Sequence, residues 1–220
     1  IVNWNSGDQL RNCLASVRTY GDNLCASAVV VDNGSGDNSI DLSRTTFPAA
    51  TFLAERSNLG FAKACNIGAR QGDAEYLLFL NPDAQLAPDT LQLCVSYLES
   101  AEGSDVGVLG PKLIDDDGRV QRGCARFPSW LTYVSKSLGL THLAPRLFPP
   151  VQLDEFDHLR TRDVDHVIGA AYFVRRHLFR ALGGFDERFF VYLEDLDLSL
   201  RVRRAGWRIT YFADAVAYHR

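Results

Sequence analysis

Apolar positions in the first hundred residues fall into runs of two kinds. Ala28-Val29-Val30-Val31, Thr51-Phe52-Leu53-Ala54 and Tyr76-Leu77-Leu78-Phe79-Leu80 are short and continuous, the pattern of strands buried on both faces. Between them apolar residues recur at helical spacing. Leu10, Leu14 and Val17 do so within residues 8–19, and two further helices are predicted, from Phe61 through Ala69 and from Pro88 to Ser100. With Ile1-Val2-Asn3-Trp4 as the end of a first strand, strand and helix alternate four times. This alternation predicts an α/β fold with a mostly parallel central sheet, right-handed crossovers and flanking helices. Ligands of such sheets bind beyond the C-terminal strand ends, and Asp32 and Asp83 stand at two of them.

The pattern changes after residue 105, dividing a single domain into a 1–105 half and a 106–220 half. Val106 to Ile114 reads as a strand and Asp115-Asp116-Asp117-Gly118 as a tight turn. Residues 124–163 show little periodicity; Phe127, Trp130, Tyr133, Leu138, Leu140, Leu147 and Phe148 lie among Pro and Gly. A long irregular stretch of this kind is a lid, a binding loop or partly disordered, and a plain hydrophobic loop packed on the core is the alternative. Val164 to Val174 reads as a strand running through Gly169-Ala170-Ala171, and His177 to Leu182 as a short helix closed by Gly183-Gly184. Phe189-Phe190-Val191-Tyr192-Leu193 then runs directly into Glu194-Asp195-Leu196-Asp197, and a helical pattern follows to Ala205-Gly206. Asp195 falls in the first turn of that helix, and Asp197 can pair with Arg201 one turn on. Arg208 to Phe212 is a strand, and Val216 to His219 is read as another. The chain begins inside one predicted strand and stops after another, so both ends are expected to continue.

Composition narrows the classes. The 220 residues are 46% hydrophobic and 23% charged, with a net charge of −4, which fits a globular domain and speaks against a duplex nucleic-acid binder. Cys13, Cys25, Cys65, Cys94 and Cys124 are odd in number and form no Cys-x-x-Cys. They read as reduced thiols and a cytoplasmic setting. No apolar run is long enough to span a bilayer, and no secretory signal is present. A P-loop and the Gly-x-Gly-x-x-Gly dinucleotide fingerprint are both missing from the sequence.

Each candidate residue carries two readings at this level. Acids in a first helical turn complement the helix dipole, which would account for Glu194 and Asp195 without chemistry. Asp32 either forms a turn in Asp32-Asn33-Gly34 or accepts the imide N–H of a uracil or thymine. Asp83, aimed by the rigid Asn81-Pro82, is a turn residue or one ligand of a divalent ion shared with a diphosphate. His219 is a candidate metal ligand only if its strand end reaches Asp83. Asn58-Leu59-Gly60 brings backbone close to a ribose or phosphate, or packs a helix tightly on a strand.

Together, Asn3-Trp4-Asn5, Val31 to Asp37, Asn58 to Ala62 with Asn66-Ile67-Gly68, Phe79 to Asp83, and Phe189 to Arg201 resemble the family 2 glycosyltransferases, and in particular bacterial rhamnosyltransferase-like enzymes of cell-wall and O-antigen assembly. The resemblance spans nearly the whole chain except 124–163. It implies a GT-A fold, a nucleotide-diphospho-sugar donor (dTDP- or UDP-linked), a divalent metal (Mn2+ or Mg2+) and inversion at the anomeric carbon. It implies a glycan or lipid-linked glycan acceptor and peripheral contact with the inner face of the cytoplasmic membrane. Carried over by position, Asn3, Asp32, Asn58, Gly60, Asn66, Asn81 and Asp83 bind donor, Asp83 and His219 hold metal, and Asp195 is the catalytic base. Gly169, Ala170 and Glu194 line the acceptor side. Asn81 stands where many members have the first Asp of an Asp-x-Asp motif, leaving one fewer anionic ligand. A sugar nucleotidyltransferase would want a basic phosphate loop after the first strand, which Asn3 to Asp8 lacks. A non-catalytic nucleotide-sugar-binding scaffold would not need Asp195.

Overall fold

The computed structural model describes the chain apart from positions 22, 23, 26, 144–146, 148–150, 152, 154 and 155. Phe148 of the irregular stretch therefore lies outside the described residues. The first half runs β1 (Val2–Asn3), α1 (Asp8–Tyr20), β2 (Val29–Asp32), α2 (Ser39–Thr46), β3 (Thr51–Ala54), α3 (Phe61–Ala69), β4 (Tyr76–Leu80), β5 (Ala84–Leu86) and α4 (Thr90–Glu99). Then follow β6 (Val106–Ile114), β7 (Cys124–Ala125), α5 (Trp130–Ser137), α6 (Leu140–Leu143), β8 (Arg162–Asp163), β9 (His166–Val167), β10 (Ala171–Arg175), α7 (Arg176–Ala181), α8 (Glu194–Arg204) and β11 (Arg208–His219).

The strands make two main sheets. β1, β2 and β3 pair in parallel, with Val2 opposite Val31 and Val31 opposite Leu53. The larger sheet is mixed, in the order β4-β10-β6-β11-β5 with β8 added on β11. Here the expected sheet is corrected: β4 does not extend the parallel set but pairs antiparallel with β10, Ala171 opposite Leu80. A continuous apolar run tells that a strand is buried on both faces and nothing about its partner. The side chains of β10 alternate as the pleat requires. Tyr172 and Val174 enter a core layer with α3, α7 and α8, while Ala171 and Phe173 enter another with α1 and α4.

Other differences concern breaks. The single strand expected from Val164 to Val174 is interrupted at residues 168–170 between β9 and β10. The two strands expected after Arg208 are one, β11, whose register against β6 shifts between Phe212 and Val216; a bulge of this sort re-aims a strand. Within the aperiodic stretch, α5 and α6 are helices. They are eight and four residues long, too short for a helical period to stand out, and Trp130 (75% exposed), Leu131, Val134 and Leu143 on them face solvent. The short β5 after the Pro82 turn was not predicted either.

Candidate active site

Asp83 is held where the sequence placed it, at a turn. The Ala84 N–H donates to the Asn81 carbonyl at 3.0 Å, closing Asn81-Pro82-Asp83-Ala84, with Pro82 setting its own φ. The turn leads into β5, against which β11 returns antiparallel with His219 opposite Ala84. That register brings His219 Nε2 to 3.6 Å from Asp83 Oδ1, meeting the condition set for His219. Gln121 fixes the ring. Its Nε2 donates to the His219 carbonyl at 2.8 Å, so its Oε1, 2.9 Å from His219 Nδ1, is turned to accept. The imidazole proton then sits on Nδ1 and the Nε2 lone pair points at Asp83, whose buried Oδ1 accepts no hydrogen bond. A lone pair facing a buried carboxylate oxygen is unfavourable unless a proton or a metal ion lies between them. The pair therefore fits a divalent ion, with nitrogen and oxygen donors of the kind Mn2+ accepts. No set of three His, Cys, Asp or Glu able to hold a metal exists among the described residues. Two protein ligands leave the remaining positions to a diphosphate and water, as is common for Mg2+-type sites.

Asp195 lies in the first turn of α8, as expected. Its Oδ2 accepts the Gly169 N–H at 2.8 Å and its Oδ1 the Leu196 N–H at 2.8 Å. A Cβ on Gly169 would stand 3.1 Å from Asp195 Oδ2, so the missing side chain leaves room for the carboxylate. The next residue, Ala170, accepts the Asn81 N–H at 2.9 Å. The interruption between β9 and β10 thus touches both acidic centres, Asp195 through Gly169 and the Asp83 turn through Ala170. In front of α8, Tyr192 and Leu193 have φ of 65° and 70°, two successive non-glycine residues in the left-handed region. Strain of this kind is concentrated at functional sites. Phe190, Val191, Tyr192 and Leu193 are all exposed.

The residues expected to bind donor are for the most part engaged with the protein itself. Asn3 is fully buried, and its amide donates to Asp32 Oδ1 at 2.9 Å and to Ser39 Oγ at 2.9 Å. It holds the Asp32 carboxylate from beneath. Asn58 Oδ1 accepts from the Gly60 N–H and from Asn33 Nδ2, both at 2.9 Å. The backbone that comes close to Gly60 (φ 88°) is the protein's own: a Cβ there would lie 2.7 Å from the Phe190 carbonyl oxygen. That contact ties α3 to the segment leading into Asp195. Asn66 is engaged elsewhere, bridging α3 to Phe185 N–H and carbonyl at 2.9 and 2.8 Å. Glu194 is 5% exposed with Oε2 unpartnered, and burial pushes its carboxyl up to about 7.

Sequence reasoning missed Gln121, Asn33 and His166. Asn33, which is buried and accepts the Leu59 N–H at 2.8 Å, lies inside the Val31–Asp37 motif but was given no role of its own. Nothing local singles out Gln121. His166, 3.7 Å from Asp195 Oδ2 through Nε2, carried the one weak signal of lying three residues before Gly169. The Asp197–Arg201 pair forms as expected at 2.8 Å, and the five cysteines are free.

A parallel three-stranded unit followed by a mixed sheet, with an acidic turn and an acidic helix start meeting at one edge, is the GT-A glycosyltransferase fold. GalNAc-T7, crystallised with UDP, GalNAc and Mn2+, matches with a TM-score of 0.71 at 15% identity over 99% of this chain and 42% of its own. A Pyrobaculum calidifontis mannosyltransferase in complex with GDP-Man and Mn2+ matches with a TM-score of 0.68 at 21% identity, over 99% and 55%. The chain thus spans about half or less of these solved structures. It belongs to glycosyl transferase family 2, whose model matches residues 1–183, a span that includes Asp32, Asp83 and Gly169 and stops before Asp195 and His219. A Mycobacterium tuberculosis N-acetylglucosaminyl-diphospho-decaprenol L-rhamnosyltransferase is 29% identical over 99% of this chain and 74% of its own length. The Escherichia coli rhamnosyltransferase WbbL is 29% identical over 68% and 54%. No described helix is long and apolar enough to cross a membrane.

Proposed function

We propose that this chain is an inverting, metal-dependent glycosyltransferase that moves a sugar, rhamnose, from a nucleotide-diphospho-sugar to a hydroxyl of a glycan or lipid-linked glycan in bacterial surface polysaccharide synthesis. The observation that carries this reading is that consecutive residues tie the two acidic centres together: Gly169 N–H holds Asp195, and the Ala170 carbonyl holds Asn81 of the turn that carries Asp83, which faces His219. The rhamnose assignment is supported by the printed activities of the relatives.

Asp32, its Oδ1 held by Asn3, accepts the imide N–H of a thymine or uracil with its other oxygen. Asp83 and His219 would hold a divalent metal, Asn81 closes the turn that carries Asp83, and Asn58 braces Gly60. Bound there, Mn2+ or Mg2+ supplies positive charge against the departing diphosphate. Asp195 orients the acceptor hydroxyl and takes its proton as the oxygen attacks C1 from the face opposite the nucleotide, so one displacement inverts the centre. The exposed apolar face of α5 meets a lipid-linked acceptor at the inner face of the cytoplasmic membrane.

Asp195→Asn keeps the shape and removes the base. Transfer is expected to fall by about two to four powers of ten, while Mn2+-dependent binding of dTDP or UDP, read by calorimetry, stays as in the native protein. Normal turnover by this variant would remove Asp195 as the base. In the same assay Trp130→Ala should slow transfer to a lipid-linked acceptor and spare a water-soluble one; equal rates on both would take α5 out of acceptor contact.

A further inference from the structure

Behind Asp195 lies a line of buried polar groups that the mechanism above leaves unused. Tyr172 Oη is 3.1 Å from Ser199 Oγ, and Ser199 Oγ is 3.1 Å from His166 Nδ1. His166 Nε2 in turn is 3.7 Å from Asp195 Oδ2. Three elements contribute: β10 brings Tyr172, β9 brings His166, and α8 brings both Ser199 and Asp195, one turn apart. Tyr172 and Ser199 are fully buried and His166 nearly so.

Two arrangements run the donors head to tail along this line with a neutral imidazole. If His166 carries its proton on Nδ1, it donates to Ser199, Ser199 donates to Tyr172, and the Tyr172 proton is left without an acceptor in the line. The Nε2 lone pair then also faces a carboxylate. If Tyr172 donates to Ser199 and Ser199 to His166 Nδ1, the ring proton sits on Nε2 and points at Asp195 Oδ2. Every proton has an acceptor and the line ends on an anion, the better outcome for buried polar groups.

We propose that His166 is a positioning residue for Asp195, its Nε2–H steadying Oδ2 so that Oδ1 is presented to the acceptor hydroxyl. This rests on Asp195 as the base in the proposed function. Burial lowers the basicity of His166, which keeps the ring a neutral donor. The 3.7 Å separation is longer than a hydrogen bond, and catalytic contacts of this kind shorten when substrate binds. The proton removed from the acceptor ends on Asp195 Oδ1, and none passes through His166. Oδ2 keeps the Gly169 N–H throughout and gains that of His166 when the contact shortens.

The test compares His166→Phe, which keeps a planar ring without a donor, with His166→Gln, which keeps an N–H donor. His166→Phe should lower kcat roughly 10- to 100-fold, the usual penalty for a misplaced group, with donor KM and Mn2+-dependent nucleotide binding unchanged. His166→Gln should recover most of that loss. A native kcat in His166→Phe, or equal damage in both variants, would overturn the proposal. Should circular dichroism show either variant unfolded, Ser199→Ala reads the same line from its far side: a lower kcat at unchanged KM supports it and a native kcat overturns it. Asp195→Asn in the same assay separates the two levels. If it is inactive while His166→Phe is native-like, only the part of His166 falls; if it is active, the base assignment falls as well.

Discussion

The two aspartate–histidine pairs of the site have nearly equal separations and opposite chemistry. Asp83 Oδ1 lies 3.6 Å from His219 Nε2, and Asp195 Oδ2 lies 3.7 Å from His166 Nε2. What differs is the partner on the other ring nitrogen. Gln121 Oε1 accepts from His219 Nδ1 and turns a lone pair toward Asp83. Ser199, supplied by Tyr172, donates to His166 Nδ1 and turns a proton toward Asp195. In the proposed function the first pair holds a cation and the second holds a carboxylate in place. Identity and distance of the two residues would not distinguish them; the third residue does.

The largest expected break in this contrast comes from the metal side. His219→Ala should reduce Mn2+ affinity in the presence of nucleotide by more than Gln121→Leu, which should cost about 10- to 100-fold as an outer partner. In the double variant the Gln121 change should add little, because its effect passes through the ring. Calorimetric titration of Mn2+ into the nucleotide-loaded protein reads this directly, and full additivity would mean that Gln121 does not act through His219.

A smaller effect sharpens the contrast between partnered and unpartnered carboxylates one residue apart. Asp195 accepts two backbone N–H groups, whereas Glu194 keeps an unpartnered buried oxygen and burial pushes its carboxyl up to about 7. Between the ordinary glutamate range and about 7 the folded protein holds a proton that the unfolded chain has lost, so stability falls as pH rises through that window. Glu194→Gln removes the dependence. Its melting temperature should match the native value at acid pH and exceed it by up to about 7–14 °C well above neutrality. A difference independent of pH would mean that Glu194 is ionised in the fold.

Much of the fold was legible because buried strands and turn chemistry leave local marks. Asp32, Asp83 and Asp195 were all found at element ends, where α/β folds put their ligands. The antiparallel seat of β4 was not legible, since its apolar run satisfies either sheet. The helices α5 and α6 escaped because eight and four residues give too little period to read. Above all, the residues that define each imidazole were hidden by sequence distance: Gln121 and His219 are 98 positions apart, and His166 and Ser199 are 33 apart. Only the register of β11 and the break before β10 bring them together.

The central claim, that the two histidines are opposite tautomers, is tested most directly by nitrogen-15 NMR of the histidine side chains at mildly alkaline pH, where neutral imidazole prevails. Signals are assigned by loss in His166→Gln and His219→Ala. The account predicts His166 protonated on Nε2 and His219 protonated on Nδ1, with added Mn2+ and nucleotide broadening the His219 signal strongly. The same tautomer at both positions, or His166 protonated on Nδ1, would contradict it.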